Sequence, residues 1–209
     1  MNPIQRLFAN DQLVTKIRIK MPELFQIAEI ESSRAGKIGM EVGTIRERII
    51  VALLIFIFGE DNVETEIPTT EPEIDVRLFG IPLSIKTFTG NKFVSVKLIW
   101  TVDPLKAKQF QNTYQPSCDM LLIQINWGGD GYMFWFSKDS QNEILNKISR
   151  ERYIKLPPPG TNPRGVEISP NALNLLARHA DTMILHILWR KKDIQVNTFK
   201  RWVDLWEQE

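Results

Sequence analysis

Glu71-Pro72-Glu73-Ile74-Asp75-Val76-Arg77-Leu78-Phe79, followed by Gly80-Ile81-Pro82-Leu83-Ser84-Ile85-Lys86-Thr87, is the stretch whose reading decides the fold. It predicts two short strands joined by a glycine turn. Side chains of a strand alternate between faces, so Glu73, Asp75 and Arg77 share one side of the first strand. Ser84 and Lys86 share one side of its partner. A hairpin brings the two sets together.

Working outward, Thr44 followed three residues later by Glu47 is a capping-box signature that opens a helix running to about Phe58 and stopping at Gly59. Apolar residues surround this helix, which predicts cover on most sides by a sheet and by a second subunit. Upstream, Pro22 to Ser33 has helical spacing, and three glycines break the pattern before Thr44. Downstream, strands are expected near Val63–Ile67, Val94–Thr101, Met120–Asn126, Tyr132–Ser137 and, as a buried strand, Thr182–Trp189. Asp103-Pro104, Asp139 and Ser169-Pro170 open helices, and Val196–Trp206 reads as an amphipathic terminal helix. The order predicts an α/β fold, a mixed β-sheet flanked by helices, with C-terminal strand and helix additions.

A chain of 209 residues suits one domain. The catalytic core is expected over about 44–126, with N-terminal helices in 1–33 and additions in 139–209. A hydrophobic share of 43% with 24% charged residues excludes wholesale disorder. The net charge of +1 neither supports nor excludes nucleic acid, because a basic DNA-facing patch can be offset by acids elsewhere. Cys118 is the one cysteine, so no internal disulfide and no zinc spacing exist, and a reducing, cytoplasmic setting is expected. No secretion leader is apparent at Met1–Arg6. The longest apolar run, Ile49–Phe58, is half the roughly 20 residues that span a bilayer.

A carboxylate holds a divalent cation through its oxygens, and a neighbouring ammonium orients a water or neutralises developing negative charge. The Asp75 and Lys86 pairing therefore suits phosphodiester cleavage. With Glu47, Asp75 and Ser84-Ile85-Lys86, the chain resembles the PD-(D/E)xK nuclease superfamily, and within it the type II restriction endonucleases of ThaI type. The resemblance implies a restriction-endonuclease-like fold with Asp75 at the aspartate position and Lys86 at the lysine position. Ser84 stands where the acid of (D/E)xK is expected, and a hydroxyl is a poor substitute for a carboxylate toward a hard dication. Glu47 on the preceding helix is the best supplier of the second acid, with Glu73 in reserve. By the family pattern, magnesium is held by Glu47, Asp75 and the backbone carbonyl of Ile85, and Lys86 positions or helps deprotonate the water. The resemblance further implies a CGCG target cut to blunt ends, leaving 3′-hydroxyls and 5′-phosphates.

Blander roles compete for each residue. The capping box alone would employ Glu47. Asp75 can be a surface acid paired to Arg77 or Lys86, and Lys86 an edge-strand lysine that discourages aggregation. A non-catalytic DNA-binding module on the same fold, and a repair or junction nuclease cutting by structure, are the rival functions.

For double-stranded DNA, the loop Arg34 to Gly43 mixes Arg34 and Lys37 with three glycines and an apolar tip. Its cations suit phosphates or guanine edges, and Met40 suits a wedge between base steps. Arg164 in the proline-rich loop and Arg190-Lys191-Lys192 are further candidates. Gln124, Asn126 and Asn162 can reach base edges, whereas His179 and His186 read as core histidines. The six tryptophans read as core or interface material. A palindromic target is matched most simply by a homodimer, with the Ile45–Phe58 helix and the Trp202/Trp206 helix as interface candidates.

Overall fold

Leu78 pairs with Ile81 across a two-residue turn in which Phe79 and Gly80 both have positive φ, 52° and 76°. This is the backbone a tight hairpin requires, and glycine at the second position makes it accessible. The computed structural model describes residues 2–34, 37, 38, 41–158 and 165–208. In chain order the elements begin with α1 (Pro3–Phe8), α2 (Asp11–Glu31), β1 (Ser33–Arg34), β2 (Lys37–Ile38) and α3 (Val42–Phe58). Then follow β3 (Val63–Glu64), β4 (Val76–Leu78), β5 (Ile81–Thr89), β6 (Val96–Ile99), α4 (Pro104–Thr113), β7 (Asp119–Ile125) and β8 (Asp130–Phe136). The chain closes with α5 (Lys138–Ile148), α6 (Arg150–Tyr153), β9 (Ile154–Lys155), β10 (Val166–Ile168), α7 (Pro170–Ala177), β11 (Met183–Leu188) and α8 (Lys200–Trp206).

Among the described residues, a six-stranded sheet runs in the order β11-β8-β7-β5-β4-β3. The β5–β7 pair is parallel and the other pairs are antiparallel, so the sheet is mixed, as expected. Alternation along the central strands divides the core in two. Leu83, Ile85, Leu121, Ile123 and Ile125 face α1, α2 and α3, where Leu7, Phe25, Ile50 and Leu54 are buried. Phe88, Met120, Leu122, Phe134 and Phe136 face the other way, onto a layer containing Tyr114, Tyr153, Leu173 and the small β6-β10-β9 sheet.

Several expected boundaries move. α2 starts at Asp11, capped by the Asn10 side chain, and carries Pro22 inside it; a proline taken as a helix start is here an interior residue. α3 starts at Val42, and no side chain caps it, so the Thr44/Glu47 capping box is absent. β4 begins only at Val76 because Glu71 and Ile74 sit in successive turns, with the Glu71 N–H on Pro68 O and the Ile74 N–H on Glu71 O. β11 is an edge strand with Leu185 and Ile187 buried and Ile184, His186 and Leu188 exposed, rather than a buried strand. α8 is shorter than expected and buries none of its residues. Among the described residues, no helix is long and apolar enough to cross a membrane.

Candidate active site

β4 pairs with β5 only through Val76, Arg77 and Leu78. β5 continues to Thr89, so beyond Leu83 its β4-facing edge has lost its strand partner. Asp75, the residue before β4, occupies that gap. Its N–H donates to Leu83 O at 3.0 Å. Its Oδ2 accepts from the Ile85 N–H at 2.6 Å, Lys86 Nζ at 2.8 Å and Ser84 Oγ at 3.2 Å. The other oxygen, Oδ1, accepts no hydrogen bond among the described residues. Ser84 and Lys86 thus share a side facing Asp75, as the alternation predicts.

Glu47, in the second turn of α3, lies within the electrostatic reach of this site. Burial pushes its carboxyl up to about 7; the Lys86 ammonium pulls it down, and the Asp75 charge pushes it up further. Those two opposed influences identify its neighbours. The capping box fails for a separate reason: the helix starts at Val42 with Glu41 at its cap, so Thr44 is already an interior residue of the first turn. Among the described residues, no cluster of three or more His, Cys, Asp and Glu side chains suits a metal. Asp75 is the carboxylate bonded to this edge, and Glu47 is near enough for its charge to interact with those of Asp75 and Lys86.

Glu73 and Arg77 leave the site. Glu73 accepts from Tyr114 Oη at 2.8 Å and Ser117 Oγ at 2.7 Å. Arg77 pairs with Glu64 at 3.0 Å and Glu71 at 2.5 Å. Since β4 is too short to include Glu73, strand alternation does not govern that side chain. Cys118 lies close enough to feel Glu73, Asp75 and Lys86, and burial pushes its thiol up to about 12.

One cluster at the base of α3 escapes sequence reading. Arg46, buried beside Glu47 in the chain, forms an ion pair with the buried Glu29 of α2 and donates to Thr89 Oγ1 at the end of β5, at 3.2 Å. Glu29 also accepts from Trp127 Nε1 at 2.6 Å and lies 3.5 Å from Lys191 Nζ. This network ties α3 to α2, β5 and the β7–β8 turn. The only signal in the sequence is an arginine and a glutamate set within otherwise apolar helical stripes.

The remaining candidates divide. Arg190 is exposed and makes no ion pair among the described residues, whereas Lys191 is engaged by Glu29 and Lys192 by Glu23 and Gln26. Arg34 and Lys37 pair with each other as backbone partners of the β1–β2 ladder, just before α3. Met40, Asn162 and Arg164 lie outside the described residues. Gln124 is buried on Gly90 O and Asn126 bonds Asp130 O, so both side chains serve the fold. Neither histidine is a core residue: His186 pairs with Asp130 at 2.6 Å on the exposed edge of β11, and His179 with Glu143 at 3.0 Å past the end of α7. Trp135 and Trp189 are buried, while Trp100, Trp202 and Trp206 are exposed.

Comparison with known proteins extends beyond this edge of the sheet. The solved structure described as "Restriction endonuclease in complex with substrate DNA" superposes with a TM-score of 0.92, at 53% sequence identity, over 98% of this chain and 99% of that one. No curated protein matches the chain. The family profile described as restriction endonuclease ThaI matches residues 7–208. With a likeness that runs through both core layers and is not confined to a short motif, the chain belongs to the ThaI family of type II restriction endonucleases.

Proposed function

We propose that this restriction endonuclease, acting as one domain over residues 1–209, hydrolyses phosphodiester bonds of double-stranded DNA at a short palindrome and requires magnesium. Asp75, Glu47 and the backbone carbonyl of Ile85 would hold the ion, and Lys86 would stand beside the attacking water. The observation that carries this reading is the division of labour on Asp75: three protein donors share Oδ2, and among the described residues Oδ1 is left without one.

The donor set fits the metal. Magnesium is commonly bound through one or two carboxylates, with waters and substrate phosphate completing its shell, so two acids suffice. The Ile85 N–H points to the Asp75 side of β5, and the carbonyl of a strand residue leaves on the same side as its N–H. Glu47, raised by burial and by the Asp75 charge, is a second carboxylate in want of a cation. When bound, the ion supplies Lewis acidity toward the scissile phosphate and lowers the pKa of a coordinated water.

The chain's own groups account for the rest. Lys86, anchored at 2.8 Å on Asp75, retains two N–H donors for a water or a phosphate oxygen. Its positive charge stabilises the negative charge that develops as the P–O3′ bond breaks. The Ser84 hydroxyl and the Ile85 amide fix the carboxylate rotamer of Asp75, so that Oδ1 keeps one direction.

The proposed target is CGCG, cut to blunt ends, which rests on the likeness to ThaI. Arg34, Lys37, Met40, Arg164 and Arg190 are the proposed DNA contacts, and Arg190, exposed and without an ion pair among the described residues, is supported in that place. A two-fold target calls for a homodimer with one such site per subunit. The test is plasmid digestion with magnesium, with and without chelator, followed by sequencing of the ends. Discrete fragments with blunt ends inside CGCG are expected. Fragments without a fixed terminal sequence would indicate cutting by DNA structure and overturn the site-specific reading.

A further inference from the structure

Two apolar surfaces remain uncovered on the same chain. Phe199, Trp202, Val203 and Trp206 are all exposed, with Trp206 at 89% and Phe199 at 71%, and none of the residues in α8 is buried. Their spacing of three, four and seven residues from Phe199 lines them along one side of a helix. The second surface is a groove of about 430 Å³ between α2 and α3, lined chiefly by apolar side chains including Met21, Leu24, Leu53 and Phe56. Phe56 is 61% exposed there.

We infer that the C-terminal arm of one copy lays α8 into the α2–α3 groove of a second copy, and that the exchange is reciprocal. Anchors at such intervals are the pattern by which an amphipathic helix fills an apolar groove. The charges agree. Lys16 stands at the groove, over the Phe56 ring at 4.4 Å and with no ion pair among the described residues, while Lys20 is taken up by Glu23 at 3.3 Å; the far end of the arm carries Glu207, which also makes no ion pair among the described residues. Three aromatic anchors each contribute roughly 150–250 Å² on burial. Two arms, counted with the surfaces they cover, reach the roughly 1,200–2,000 Å² of a stable interface. The groove is formed partly by α3, so the partner's arm would brace the helix that carries Glu47.

This inference rests on the proposed homodimer and names its interface. The full-length chain is weighed in solution by light scattering beside Trp202→Ala/Trp206→Ala and, separately, Phe56→Glu. The expected result is two copies for the parent and a halved mass for both variants, with unchanged circular dichroism because the altered side chains are exposed. A parent of one copy overturns the dimer and the arm exchange together; a dimeric parent whose variants stay dimeric overturns the exchange alone. To fix the direction, Ala52→Cys and Val203→Cys chains carrying different tags are mixed and joined with a short bis-maleimide, Cys118 being buried. A covalent species containing one chain of each kind is expected. Absence of that species, or joining only within a chain carrying both substitutions, rejects the exchange.

Discussion

Oδ2 of Asp75 accepts the backbone N–H of Ile85 at 2.6 Å, so a side chain takes over the hydrogen bond that a longer β4 would have made. An unpaired strand edge is thereby satisfied and a carboxylate is fixed on it in one move. The same oxygen receives Lys86 Nζ at 2.8 Å.

Asp75→Asn keeps the shape of the side chain and removes its charge. Cleavage of a labelled CGCG duplex in magnesium is expected to fall by at least about 10²-fold, on the scale of losing one electrostatic stabiliser. Lys86→Ala is expected to lose roughly 10²–10⁴-fold, as for a positioned proton-transfer group. Gel-shift binding of the duplex without magnesium should survive in both. Cleavage within a few-fold of the parent in either variant would discard the assignment.

Glu47 and Glu73 separate by what they touch. Glu47→Gln should abolish cleavage at saturating magnesium. Glu73→Gln should retain it while weakening the bonds from Tyr114 and Ser117, at a stability cost of about 1.5–3 kcal/mol for charge-assisted hydrogen bonds. Activity assays paired with urea unfolding decide the matter, and the reverse pattern would make Glu73 the second acid.

Arg46→Met leaves Glu29 buried with Trp127 and the Lys191 ammonium as its remaining partners. Breaking one side of a buried ion pair costs about 3–5 kcal/mol, so the urea midpoint should drop sharply. Replacing Glu29 and Arg46 together by methionine should cost less than the single change. An Arg46→Met midpoint equal to the parent's would mean that the pair does not hold α3 in place.

Burial pushes the Cys118 thiol up to about 12, and the nearby Glu73 and Asp75 carboxylates push the same way. A raised thiol pKa keeps the neutral, unreactive form until pH climbs toward that value. At pH 8 iodoacetamide should leave the folded protein unmodified and label one site per chain in denaturant. Rapid labelling of the native protein at pH 8 would contradict this placement.

The sequence by itself determined the hairpin, the mixed α/β class and the pairing of Asp75 with Lys86, because a period of two and a glycine turn are local properties of 17 consecutive residues. The departure at Ser84 was equally legible, and with it the proposal of a second acid. What the sequence left open was whether Glu47 or Glu73 supplies it. The structure shows where each goes: the abrupt start of β4 at Val76 hands Glu73 to Tyr114 and Ser117, while Glu47 lies within the electrostatic reach of Lys86 and Asp75. Both depend on contacts between residues tens of positions apart. The capping box misled because the helix starts upstream of it, at Val42, which leaves Thr44 inside the first turn and no longer at the cap. The ion pair of Glu29 and Arg46 is likewise invisible to periodicity, since burial makes charges meet where a helical stripe predicts apolar packing.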